Sequence, residues 1–166
     1  KLRNTNFRGL SRLKEVGNGW MHGCTLLREP DFSHLTSLTT VGNNWMRHNM
    51  TIRDPDFSGI INLQRVGDGW LDGCKSLRHP SFANLARLER IGDKWMHHCF
   101  GLLMPNFDGM IGLQHIGDDM MEMAYIPSTN PTFTFGFVNL RSIGRFEYAL
   151  GLILGRTNFT HVVEYT

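Results

Sequence analysis

Residues 27–51 read LREPDFSHLTSLTTVGNNWMRHNMT, and residues 52–76 read IRDPDFSGIINLQRVGDGWLDGCKS. Aligned, the two share their spaced apolar residues, a proline, an Asp-Phe pair, a Val-Gly step and a tryptophan. The same frame extends in both directions at 25-residue intervals. Phenylalanine recurs at Phe7, Phe32, Phe57, Phe82 and Phe107. Glycine recurs at Gly17, Gly42, Gly67, Gly92 and Gly117, and tryptophan at Trp20, Trp45, Trp70 and Trp95, with Met120 in the fifth place. A fixed period of this size means that one supersecondary unit stacks on copies of itself, because a single unit cannot bury its apolar face alone. The spacing therefore predicts a solenoid of about six 25-residue coils forming one domain over residues 1–166.

Each part of the unit has a physical reading. Residues 27–32 offer Leu27, Pro30 and Phe32 as inward side chains of an extended segment. Pro30, Pro55, Pro80 and Pro105 lack a donor N–H, so ladder hydrogen bonds break at that level and the sheet is expected to be narrow. Asp31, Asp56, Ser81 and Asn106 precede the phenylalanines as a ladder of short polar caps able to accept a backbone N–H. Residues 38–41 give a second short extended piece. Gly42 is read there as a source of backbone freedom, and residues 43–49 as a single helical turn. Trp45 and Met46 both point inward, and each indole N–H is expected to meet a carbonyl at the coil edge.

The run Ile91-Gly92, Trp95-Met96, Cys99 and Leu102 resembles the BspA-like class of leucine-rich repeat, whose unit ends Ile-Gly-x-x-Ala-Phe-x-x-Cys-x-x-Leu. The match sets Met46 and its equivalents where that family has Phe, and Trp45 and its equivalents where it has Ala. These units are also a little longer than the usual ones. The resemblance covers residues 2–124 well. It implies a leucine-rich-repeat coil stack with short strands, turns and single helical turns. It also implies a cell-surface or secreted protein that binds other proteins or attaches to surfaces, without catalysis; an intracellular or organellar assembly is the alternative compartment.

Regularity holds over residues 2–126 and is lost over the irregular repeat 127–153. Ile143-Gly144 still match the Val-Gly step, but lie 27 residues after Ile116-Gly117. The segment 125–139 is rich in Pro, Thr and Phe and is expected to bulge as a contact loop. Leu154, Phe159, Val162 and Tyr165 then reproduce the spacing of Leu27, Phe32, Leu35 and Leu38, giving a truncated repeat over 154–166. Neither end shows the polar outer face of a capping repeat. The chain thus reads as a segment of a longer one, with further repeats or another subunit at its uncapped ends and an apolar run, 149–154, to be covered.

Composition narrows the function. A net charge of +2 is too mild to announce nucleic acid. No apolar run approaches the ~18 residues of a membrane span, so neither nucleic-acid binding nor membrane insertion is expected. Gly17-Asn18-Gly19 and Gly67-Asp68-Gly69 are turns of the repeat and lack the rest of a phosphate-loop fingerprint. No catalytic set rises above the repeat background, so no enzyme activity and no cofactor are expected. Cys24, Cys74 and Cys99 share one column with Asn49 and Ala124, which reads as a small buried slot. His22 with Cys24, and His97-His98 with Cys99, lack paired metal-ligand spacing, so no metal is expected. Asn49-Met50-Thr51 and Asn158-Phe159-Thr160 are sequons, but Asn49 lies in the buried column and Asn158 precedes a core phenylalanine.

The most suggestive polar column is Arg3, Arg28, Arg53 and Arg78, ended by Leu103. Like charges about 5 Å apart need neutralising. Glu29, Asp31, Asp54 and Asp56 offer a solvated charge ladder; an acidic partner docking along the strand face is the alternative. The candidate partner-binding residues are thus Arg3, Arg28, Arg53 and Arg78, with Tyr125, Phe133 and Phe135 in the irregular loop. The function expected is a protein-interaction or adhesion module with a rigid repeat face, or else a structural subunit embedded in a large assembly.

Overall fold

The computed structural model describes residues 5–124 and 139–144, and the backbone of 164–165. It is a stack of coils joined by one parallel sheet whose seven two-residue strands follow in sequence order. These are β1 (Glu15–Val16), β2 (Thr40–Val41), β3 (Arg65–Val66), β4 (Arg90–Ile91), β5 (His115–Ile116), β6 (Ser142–Ile143) and β7 (Glu164–Tyr165). Each strand is a polar residue followed by an apolar one. In the five regular coils the apolar member faces the core, fully in β2 to β5 and partly in β1. The step of 27 residues before β6 leaves the register intact, with Ile116 opposite Ile143. Tyr165, expected in the column of Leu38, instead pairs with Ile143 in the column of Val41. The polar-apolar pair Glu164-Tyr165 continues the β ladder three residues earlier than the spacing of Leu154 and Phe159 implies.

The segment of residues 27–32 and its equivalents pairs only through single bridges, Asp31 to Asp56, Asp56 to Ser81 and Ser81 to Asn106. The prolines explain this narrowness. Ser81 N–H donates to the Pro55 carbonyl at 2.9 Å and Asn106 N–H to that of Pro80 at 2.8 Å, but the proline itself donates nothing. The polar caps act as read: Asp31 Oδ1 accepts the Ser33 N–H at 2.9 Å, Asp56 that of Ser58 at 2.9 Å, and Asn106 that of Asp108 at 2.8 Å.

The expected helical turn is not formed, and no helix occurs among the described residues. Residues 43–49 instead alternate in hand, with Asn44, Met46 and His48 at φ of +62°, +55° and +58°. The alternation turns successive peptide groups up and down the stack. Asn44 N–H donates to Asp68 of the following coil at 2.6 Å, Met46 N–H to Trp20 of the preceding coil at 3.0 Å, and His48 N–H to Asp72 of the following coil at 2.8 Å. A helix would satisfy these groups within one coil. Left-handed non-glycine residues cost about 1–2 kcal/mol each, and the inter-coil bonds offset that strain.

Gly42 needs its missing side chain for a different reason from the one expected. Its φ lies outside the left-handed region. A β-carbon there would stand 2.8 Å from the Asn18 nitrogen and from the Gly17 carbonyl carbon of the coil beneath. Close approach makes a further ladder possible: Asn18 Oδ1 accepts the Asn43 N–H at 2.8 Å, Asn43 Oδ1 that of Asp68 at 3.0 Å, Asp68 Oδ1 that of Asp93 at 3.0 Å, and Asp93 Oδ1 that of Asp118 at 2.9 Å.

The core is one continuous column of rings. Trp45, Trp70 and Trp95 are fully buried, as are Phe32, Phe57, Phe82 and Phe107 to within 1%. Trp45 stacks on Trp70 at 5.0 Å and Phe57 on Phe82 at 5.3 Å, while Trp70 meets Phe82 edge-on at 5.0 Å. The expected carbonyl partners for the indoles are missing: Nε1 of Trp45, Trp70 and Trp95 is buried without a hydrogen bond. Each orphan donor costs on the order of 1–3 kcal/mol, against which stand the ring contacts, worth about 0.5–1.5 kcal/mol each beyond their buried area.

Candidate functional site

The arginine column is real as a structural row. Arg28, Arg53 and Arg78 are all exposed, and the Arg78 N–H donates to the Arg53 carbonyl at 2.8 Å, holding consecutive coils in register. Arg3, Tyr125, Phe133 and Phe135 lie outside the described residues. So do Asn158, the apolar run 149–154 and the irregular loop. The row sits on the segment with single bridges, not on the face of the continuous sheet.

A groove of about 580 Å³ runs beside it, lined by Arg28, Glu29, Met50, Thr51, Arg53, Asp54 and Ser76. Two of the nearby acids, Asp54 and Asp31, are engaged elsewhere, while Glu29 lines the groove itself. Asp54 accepts from His79 Nδ1 at 2.8 Å and from the His79 backbone N–H at 3.2 Å. The Asp31 carboxyl is held below its usual range by hydrogen bonds from the Ser33 side chain and backbone, with His34 and Arg8 adding attraction. Among the described residues the guanidinium groups of Arg28, Arg53 and Arg78 form no ion pair. The groove thus presents two unpaired guanidinium groups, able to take a carboxylate with two parallel hydrogen bonds.

The cysteine column is a slot for a small donor. Cys74 Sγ donates to the Met46 carbonyl at 3.1 Å, Cys99 Sγ to that of Leu71 at 3.2 Å, and Asn49 Nδ2 to that of Met21 at 3.1 Å. Each acceptor is a left-handed residue of the preceding coil. A thiol and an amide can share this column because both are short and both donate. All three cysteines are free. Burial pushes the Cys74 thiol up to about 12 and that of Cys99 well above its usual value, which removes them as nucleophiles or thiolate ligands at neutral pH. Asn49, fully buried with its amide nitrogen committed, is no glycan acceptor in this fold.

A second polar column escaped the sequence reading. His22, Arg47, Asp72, His97 and Glu122 follow one another at 25-residue steps. Asp72 is buried, its side chain only 3% exposed. Arg47 Nε lies 2.8 Å from Asp72 Oδ2, at an angle that makes an ion pair but no hydrogen bond. His97 Nδ1 stands 3.1 Å from Asp72 Oδ1, and His97 Nε2 lies 3.3 Å from Glu122 Oε2. His98 Nδ1 lies 3.9 Å from the same Asp72 oxygen. The signal was present in the alternation of basic and acidic residues from Arg47 onward, but not in any repeated residue type.

No family model matches the chain, and neither does any curated protein or solved structure.

Proposed function

We propose that the chain is a non-enzymatic interaction or adhesion module of the BspA-like leucine-rich-repeat kind, which presents a rigid repeat face to an acidic protein segment. The cell surface or the extracellular space is the compartment this reading favours. The observation that carries it is the pair of exposed, unpaired guanidinium groups of Arg28 and Arg53 flanking the groove beside Met50 and Thr51. An extended acidic peptide laid across the coils would meet one arginine about every 5 Å, with Met50, itself 37% exposed, as an apolar floor. A core of stacked rings keeps that spacing rigid, so little order has to be imposed on binding.

The test replaces Arg28 and Arg53 together by Glu and measures binding of a glutamate-rich peptide by biolayer interferometry at low and physiological salt. The parent chain is expected to bind with an affinity that falls as salt rises, and R28E/R53E to lose that binding at low salt. Thermal stability should stay unchanged, because exposed charges of this kind are each worth about 0–1 kcal/mol. Unchanged affinity and salt dependence in the double variant would place the binding face elsewhere. The second reading, a subunit fixed within a larger assembly, draws on the half-exposed apolar side chains Phe100, Met104, Ile111 and Met123.

A further inference from the structure

From their convergence on one carboxylate oxygen, we infer that Asp72, His97 and His98 form a three-ligand site for a divalent transition-metal ion of the zinc class, with Glu122 as the outer partner of His97. The site shares no residue with the arginine groove.

One donor atom from each of the three side chains lies within 4.8 Å of the others, and the Nδ1 atoms of both histidines face Asp72 Oδ1. Bonds of 2.0–2.1 Å in a tetrahedron set neighbouring donors about 3.3 Å apart. The observed 3.1 Å from His97 and 3.9 Å from His98 to Asp72 Oδ1 bracket that value. The 3.9 Å separation is too long for a hydrogen bond, so a hydrogen bond accounts for the position of His97 but not for that of His98. Adjacent side chains in an extended chain point to opposite faces. Here the left-handed φ of His98, +54°, breaks that alternation, and the two rings lie 3.7 Å apart.

The surroundings fit a metal. His97 Nδ1 hydrogen-bonds Asp72 Oδ1 at 3.1 Å; a bound metal ion would take the place of that proton, and Glu122 beside Nε2 would hold the proton there, the carboxylate–histidine–metal relation common in such sites. Arg47 holds Asp72 Oδ2 and so directs Oδ1 toward the histidines. With Asp72 and Glu122 negative and Arg47 positive, the cluster leaves one negative charge beside the ligands, which favours a dication. Two imidazoles and one carboxylate suit zinc or its late transition-metal neighbours better than calcium or magnesium, which prefer oxygen donors. His98, with its side chain 45% exposed, marks the side of entry, and Cys99 is excluded as a ligand by its hydrogen bond to Leu71.

Isothermal titration of the full chain with zinc chloride, at neutral pH and after chelation and dialysis, tests the site. The expected result is one ion per chain, with a thermal midpoint that rises with zinc concentration. His98→Ala should abolish binding, and Glu122→Gln should weaken it 10- to 100-fold, the usual effect of losing an outer partner. His22→Ala, which alters an exposed histidine of the same column, should bind as the parent does. Imidazole nitrogen shifts of the parent chain give a readout that needs no variant: Nδ1 of His97 and His98 should move on zinc addition, and that of His22 should not. Absence of stoichiometric binding by the parent would overturn the inference, as would full affinity in a folded His98→Ala or shifts confined to His22 and His48.

Discussion

Replacing Gly67 by Ala tests whether this column is glycine for its backbone or for its neighbours. The added β-carbon would stand 2.8 Å from the Asn43 nitrogen and 2.9 Å from the Gly42 carbonyl carbon, and closer still to Asn43 Oδ1. Forcing one methyl group into such a packed contact costs about 1–3 kcal/mol. Displacing Asn43 Oδ1 breaks its bond to the Asp68 N–H, for about another 1 kcal/mol. The loss of unfolded-state freedom returns about 0.4–1 kcal/mol, so a net destabilisation of roughly 1–3.5 kcal/mol is expected. Gly17 is the matched control, because it occupies the same column but a β-carbon added there would meet no atom within 4 Å. There Ala should be neutral or slightly stabilising. Urea unfolding followed by tryptophan fluorescence reads both variants, and amide exchange at Asp68 reports the ladder locally, so that fraying of an outer coil does not hide the comparison. Equal losses at Gly17 and Gly67 would show that backbone conformation, not inter-coil approach, selects glycine.

Phe57→Ala should cost about 3–5 kcal/mol in the same unfolding assay, as for other buried rings; Phe57 is fully buried between Phe32 at 5.2 Å and Phe82 at 5.3 Å, and a loss below about 1 kcal/mol would contradict that core. Of the three thiols, only Cys24 should react readily with a disulfide reagent in the folded chain at pH 8, with Cys74 and Cys99 reacting only on unfolding; rapid titration of all three would refute the buried slot. Alkaline stability follows with a definite sign. The Cys74 thiol rises from 9.0 to about 12 on folding, so the unfolded chain releases its proton first. The stability this thiol contributes is complete below pH 9 and declines above it by about 1.4 kcal/mol per pH unit. Unfolding midpoints measured from pH 8 to 11 should show a shallower decline in Cys74→Ala than in the parent chain.

The stack was legible because its signals repeat. Phe, Trp and Gly at 25-residue steps require each coil to lie on its neighbour, and the Val-Gly step located β2 to β6 even across the extra residues before β6. The corner differs from its reading for a physical reason. An apolar pair such as Trp45-Met46 between polar residues fits one helical turn as well as a ribbon of alternating hand, and only the position of the next coil decides which one satisfies the peptide groups. Left-handed Met46 carries no mark in its side chain, since the residues that favour that region are glycine, asparagine, aspartate and, more weakly, histidine. The repeat hints at it nonetheless: the positions of Met46 and His48 are filled in other coils by Leu71 and Gly73, both also left-handed, and the glycine is the readable member of the set.

The two candidate sites differ in legibility for a related reason. The arginine row is one residue type repeated, so it stands out in any alignment of the units. The Asp72, His97 and His98 cluster is assembled from different residue types in adjacent coils, and His98 enters it only because its backbone is left-handed. Buried columns of identical residues serve the stack, as the glycine and aromatic ladders do here. Chemistry also arises where a column changes from coil to coil, because stacking brings residues 25 apart to within about 5 Å and lets an acid meet a base across the step. The column of Arg47, Asp72, His97 and Glu122 has that character throughout, with each member differing from the one before. A variant such as Asp72→Asn should therefore act beyond its own coil: it removes the charge that Arg47 and His97 both face, at 2.8 and 3.1 Å, whereas a conservative change in the arginine row alters one contact and leaves the next coil as it was.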